Sequence, residues 1–255
     1  MADSLYLYCV AGGTKAVDLG LKGIGGTPVS VVAAHGLAAV VQECAAPFSS
    51  EDPKLVSEWV LAHQAVVDLA WEKFETVVPF SFGMMIVAKD GKSARENLLE
   101  WLGKEQESLT RKLGRLKGKG EYGIQISWDP TVVAPRITKH DEEIQKLEIE
   151  IQSKNAGTAY LLRQKLESLL RQRLETAADV YFKEFYQKIK AQAEDVRVEK
   201  ARKDDPPRQM LANLSCLVPR GDATRLGDEL DRIGKIEGFF VRFTGPWPPY
   251  SFVNP

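Results

Sequence analysis

Short apolar runs, punctuated by glycine and proline, alternate with stretches in which apolar residues recur every three or four positions. Residues 5–10 (LYLYCV) are apolar, aromatic and few, the pattern of a strand. Residues 29–34 and 37–43 are two further apolar or β-branched runs, separated only by His35 and Gly36. A connection of that length ending in glycine suits a tight hairpin, because glycine accepts the positive φ such turns need. The stretch before the hairpin carries Gly12, Gly13, Gly20, Gly23, Gly25 and Gly26, with space for a short helical turn around residues 16–21.

A helix start follows. Asp52 can accept from the first turn, and Pro53 at the first helical position gives up no needed N–H. Val56, Trp59, Val60, His63, Val66, Val67, Ala70 and Phe74 then fall on one helical face. Residues 76–80 read as the next strand, with Pro79 at its end or at a sheet edge because it donates no hydrogen bond. Residues 93–116 read as one helix with a Leu98, Trp101, Leu102, Leu109, Leu113, Leu116 stripe, and residues 122–128 as a strand. The first half is therefore β-(short α)-β-β-α-β-α-β, whose first six elements match a ferredoxin-like βαββαβ unit, with an extra α-β pair.

After Pro135 the pattern changes. Residues 141–205 hold 14 acidic and 13 basic residues, intermixed, over an apolar stripe of Leu162, Leu166, Leu170, Leu174, Ala177, Tyr181, Phe185 and Ile189. A charged face of cancelling sign over an apolar seam means helix-on-helix packing or a protein partner, not a polyanion. Strands are expected near 196–199, 210–218 and 237–243, with a helix over 222–233. This half reads as a ferredoxin-like unit whose first strand is replaced by helix. The expected fold class is α+β in two domains, 1–135 and 136–244, followed by an extended tail, 245–255.

Charge and chemistry narrow the function mainly by exclusion. With 34 Lys and Arg against 35 Asp and Glu in 255 residues, the chain lacks the basic excess of a phosphate-held nucleic-acid binder. Cys9, Cys44 and Cys216 are too widely spaced for a metal knuckle or a CxxC pair, and fit free thiols in a reducing cytosol. The first residues do not form a signal peptide, and no run approaches the roughly 18 apolar residues of a membrane span. Residues 118–123 spell GxGxxG, yet they follow a helix and precede a strand, the reverse of a dinucleotide fingerprint. Residues 20–27 have Gly26 where a P-loop needs lysine. His35, His63 and His140 share no metal-ligand spacing, and His63 sits on an apolar helix face, where a hydrogen-bonded core histidine is expected. No catalytic residue, metal site or cofactor is expected.

The most unusual segment is the last. Gly245-Pro246-Trp247-Pro248-Pro249-Tyr250-Ser251-Phe252 combines three prolines, which hold the backbone extended, with three aromatics that would expose much apolar surface if free. It should dock on its own body or on a partner. With His63, Pro79, Phe82 and Gly83, the tail residues Gly245, Pro246, Trp247, Pro248, Pro249, Tyr250 and Phe252 form the candidate interaction or structural set.

Together these residues resemble the gas-vesicle protein F/L family. The opening LYLYCV (5–10), the run from His63-Gln64-Ala65-Val66-Val67 to Val77-Val78-Pro79-Phe80-Ser81-Phe82-Gly83, and the terminal GPWPPYSF (245–252) carry the likeness. Residues 156–161 (AGTAYL) are similar to the family's small-residue start of a long helix. The resemblance implies a two-domain α+β protein with a ferredoxin-like N-terminal domain, a related C-terminal domain and a docked tail. It implies a non-enzymatic accessory or minor structural component of gas vesicles in the cytoplasm. The implied partners are the hydrophobic main shell protein and other accessory proteins, with no nucleic acid, membrane or cofactor. The competing reading is a ferredoxin-like small-molecule sensor or enzyme, for which only the glycine-rich residues 12–26 speak.

Overall fold

A computed structural model describes residues 4–13 and 19–253. The expected helical turn around residues 16–21 lies partly outside the described residues. The chain forms two compact units, one comprising residues up to 121 together with those from 246 onward, the other residues 122–245. The division falls ahead of the compositional change at Pro135.

In the first unit, β1 (Ser4–Gly12) is buried from Ser4 to Ala11. It can be so because it lies inside the sheet, with β3 (Leu37–Cys44) on one side and β4 (Val77–Pro79) and β5 (Met85–Val87) on the other. β2 (Val29–Ala34) joins β3 as an antiparallel hairpin, giving the order β2-β3-β1-β4. The hairpin turn is His35-Gly36, with φ of 53° and 78°, the doubly positive geometry of a primed turn. α1 (Pro53–Phe74) covers the face that carries Tyr6 and Tyr8, supplying Val66, Val67 and Ala70. α2 (Ala94–Lys104) and α3 (Gln106–Leu116) also contact β1, and their Leu98, Leu102, Leu109 and Leu116 are buried. The single helix expected over 93–116 is thus two. The break follows Gly103, whose missing side chain leaves room for His35; a Cβ there would lie 3.1 Å from the imidazole Nε2.

In the second unit the sheet order is β7-β8-β6-β9, with β6 (Lys119–Trp128), β7 (Asp195–Val198), β8 (Gln209–Pro219) and β9 (Phe239–Trp247). This corrects one expectation. The first strand of the second half is not replaced by helix; it is β6, which the sequence pattern assigns to the first half because no compositional change precedes it. Between β6 and β7 run α4 (Pro130–Thr138), α5 (Glu142–Ser153) and α6 (Ala156–Lys190), and between β8 and β9 runs α7 (Ala223–Gly234). β6 turns Tyr122, Ile124, Ile126 and Trp128 toward α6 and α7, where Phe185, Ile189, Leu226, Leu230 and Ile233 complete the core.

The 35 residues of α6 span about 52 Å. Its C-terminal half packs on the main core, while Leu162, Leu166 and Leu170 only half-bury themselves against Ile144, Leu147 and Leu169 in a small cluster with α5. Arg173 ties the two helices, its Nε 2.6 Å from Asp141 and its Nη2 3.3 Å from Glu143. No helix among the described residues is long and apolar enough to cross a membrane.

The stripe along α6 should therefore respond unevenly to truncation. Phe185→Ala, at a fully buried position, should cost about 3–5 kcal/mol. Leu170→Ala, in the half-exposed cluster, should cost about 1 kcal/mol. Urea denaturation of the two variants checks this, and equal losses would contradict the division of the helix.

Candidate functional site

The candidate residues converge on one place in the first unit. The strand period of two puts Tyr6 and Tyr8 on the same face of β1, and the helix period puts His63 opposite them with Val66, Val67 and Ala70. Tyr6 and Tyr8 meet edge to face at 4.9 Å, and Tyr8 stacks on His63 at 5.3 Å. Phe82 reaches both Tyr6 and His63, and Phe48 closes on Tyr6. His63 is left 3% exposed.

Each polar atom of this nest has a partner. The Phe80 carbonyl lies 3.1 Å from His63 Nε2 and can only accept, so Nε2 carries the proton. Nδ1 then accepts from the Tyr6 hydroxyl at 2.9 Å. The Gly83 N–H donates to the Tyr6 oxygen at 3.1 Å, from a turn in which Gly83 takes φ of 96°. Tyr8 donates to Gln42 Oε1 and accepts from the Ile24 N–H at 3.1 Å, while Gln42 Nε2 donates to the Ile24 carbonyl at 3.2 Å. Gly23 lies against this clamp, and a Cβ there would overlap both Gln42 Oε1 and the Tyr8 hydroxyl. The glycine-rich segment is thus used to bring its backbone up to buried polar side chains.

The C-terminal tail closes the nest. Gly245, at φ of 118°, with Pro246 and Trp247, is exposed, whereas Pro248, Pro249, Phe252 and Val253 are buried. The expectation that Trp247 anchors the tail is corrected: it is 45% exposed. Tyr250 is the ring that reaches inward, its oxygen 3.3 Å from His63 Nε2 as a second acceptor. The next residue fixes the backbone, since Ser251 donates its N–H and its hydroxyl to the two oxygens of Glu121, at 2.8 and 2.6 Å.

His63, Phe82, Gly83 and Tyr250 therefore meet around Tyr6. Pro79 ends β4 one residue before the Phe80 carbonyl that holds His63. Sequence reasoning missed Tyr6, Tyr8, Gln42, Phe48 and Glu121. For the first three the signal is present: two tyrosines at i and i+2, and a lone glutamine inside an apolar strand.

A histidine beside a tyrosine hydroxyl is the geometry of a general-base pair, but here the electrostatics oppose proton transfer. Burial holds the His63 pKa down at about 4 and pushes Tyr6 up to about 12. Burial likewise raises Tyr8, Tyr250 and Cys9. Each group is kept in its neutral form inside packed rings. Among the described residues no group of three or more His, Cys, Asp or Glu side chains could hold a metal ion. Residues 118–123 lead out of the turn after α3 into β6: Gly118 turns the chain at φ of 72°, and residues 119–123 are the first five of the strand.

Two measurements check this description. Unfolded histidine binds a proton below about pH 6.5, but folded His63 does so only near pH 4. The unfolded state thus binds more protons between these values. Stability should be full above pH 6.5 and fall as the pH drops toward 4, by about 3 kcal/mol from this group. A His63→Gln variant should lose that part of the acid dependence, and parallel pH profiles would contradict it. Gly23→Ala should destabilise by about 3 kcal/mol, since the added carbon must displace a buried hydrogen-bonded pair; a cost below about 0.5 kcal/mol would contradict the clamp.

The family model described as "Gas vesicle synthesis protein GvpL/GvpF" matches residues 4–254. Gas vesicle protein L1 of Halobacterium salinarum is 32% identical over 99% of this chain and 91% of its own length. Gas vesicle protein F of a Streptomyces species is 28% identical over 98% and 100%. The crystal structure of GvpF from Anabaena sp. PCC7120 superposes with a TM-score of 0.78 at 17% identity, covering 99% of both chains, and GvpF from Microcystis aeruginosa gives 0.70. At that identity the structures speak for the mixed α and β fold with antiparallel sheets. Matched along nearly its whole length, the chain belongs to the GvpL/GvpF family of gas vesicle proteins.

Proposed function

We propose that this protein is a non-enzymatic assembly component of gas vesicles, which binds the hydrophobic main shell protein and other accessory proteins. It would work in the cytoplasm and at the growing vesicle. The observation that carries the reading is the family match across residues 4–254, joined to the 32% identity with a gas vesicle protein L over nearly the full chain. The nest around His63 fits it: a set of side chains packed among themselves and held neutral suits the organisation of a scaffold. The glycine-rich segment, the one feature favouring a small-molecule site, is occupied by the Tyr8–Gln42 clamp.

We further propose that each unit is a ferredoxin-like βαββαβ module. The two sheets support this, because each places its four main strands in the chain-order sequence second-third-first-fourth. α2 and α3 would then be an addition to the first module, and α4–α6 an enlarged first crossover in the second. His63, Pro79, Phe82, Gly83 and the tail from Gly245 to Phe252 are proposed as structural determinants. In that reading the exposed members of the set, Gly83, Gly245, Pro246 and Trp247, are the ones available to a partner.

The test is capture of the shell subunit. The affinity-tagged chain, co-expressed with the small hydrophobic shell protein, should retain it, and cells lacking the chain should yield no buoyant vesicles. Normal vesicle yield without the chain, together with no retention of the shell subunit, would contradict the proposal.

A further inference from the structure

The second unit carries a cleft of about 1160 Å³ between α7 and β9. β9 ends the sheet, so among the described residues one side of its backbone has no strand neighbour. The opposite end is guarded: β7 has four residues, and the Asp195 carboxylate takes up the Val196 N–H at 2.9 Å. β9 has nine residues. Above its edge, α7 lines the cleft with Ala223, Gly227 and Gly234. A Cβ on Gly227 would meet nothing within 4 Å. The short residues thus leave unfilled space where a further strand would lie.

Four of the charges in the cleft divide by face. Phe239 and Val241 belong to the core under α7, so Phe240 and Arg242 point to the other side of the sheet. Arg208 lies there too, its guanidinium 3.6 Å over the Phe240 ring. On the α7 side stand Asp228 and Asp231, three positions apart, exposed, and with no ion-pair partner among the described residues. Asp204 and Lys235 also line the cleft.

We infer that this cleft accepts an extended segment of another protein as an added strand beside β9, apolar and basic toward α7 and acidic toward Arg208 and Arg242. Backbone bonds to the open edge would supply attraction, and the sorted charges would fix which face of the segment turns inward. The inference stands on the second unit alone and does not depend on the assembly reading.

The probe is the peptide Thr-Val-Glu-Lys-Glu-Val-Thr, which puts lysine between two valines on one face and glutamates on the other. Its charge-reversed form is Thr-Val-Lys-Glu-Lys-Val-Thr. In NMR titrations of the full chain the first should shift the β9 amides saturably and bind about fivefold tighter than the second, the worth of one or two exposed charge pairs. Gly227→Leu, which fills the slot, should weaken binding about tenfold, and Asp228→Lys with Asp231→Lys should remove the preference. No saturable shift, equal binding of both peptides, or indifference to both sets of substitutions would overturn the inference. So would a concentration-dependent dimer in sedimentation that Gly227→Leu abolishes, which would make the edge a contact between copies of this chain.

Discussion

The first unit depends on a neutral imidazole whose two nitrogens are both committed. His63 accepts from Tyr6 on β1 and donates to the Phe80 carbonyl just past β4, while its own backbone belongs to α1. Three elements distant in sequence are thereby held at one ring, and the tail adds a fourth through Tyr250. The arrangement tolerates neither charge nor vacancy. A second proton on Nδ1 would face a Tyr6 hydroxyl whose oxygen already accepts from Gly83. Loss of the ring would leave a buried tyrosine hydroxyl and a carbonyl unpaired, a penalty of about 1–3 kcal/mol each.

The same constraint explains the glycines and prolines around it. Gly23 brings the Ile24 backbone to the Tyr8–Gln42 pair, and Gly83 makes the turn that aims an amide at Tyr6. In the tail, Pro248 and Pro249 restrict the backbone just before Tyr250 and Ser251 engage His63 and Glu121, so less freedom is lost when they dock. The glycines that resemble a phosphate loop in the sequence serve here to place polar backbone atoms against buried side chains.

Much of this was legible where local rules decide the outcome. The His35-Gly36 turn, the Asp52-Pro53 helix start and the apolar face carrying His63 follow from φ preference, capping and period, and the structure has all three. What local pattern cannot carry is partner choice. β6 has an ordinary strand pattern, and nothing in residues 119–128 says which sheet it enters. β5 is three residues long, too short to show a period, and α4 contains Pro135, which reads as a helix breaker. The two tyrosines of LYLYCV were visible as strand residues, but their common face matters only because His63 lies across from it, a contact 57 positions away. Trp247 misled for the converse reason. An aromatic between prolines invites burial, yet its neighbour Tyr250 holds the pocket.

The central claim is that His63 stays neutral with its proton on Nε2. Nitrogen-15 NMR of the ring tests it most directly. Nε2 should show the chemical shift of a protonated, pyrrole-type nitrogen and Nδ1 that of an unprotonated acceptor. This pattern should persist unchanged as the pH is lowered from neutrality to about 5, where an ordinary histidine is almost fully charged. A ring that titrates near pH 6.5, or one that carries its proton on Nδ1, would contradict the account.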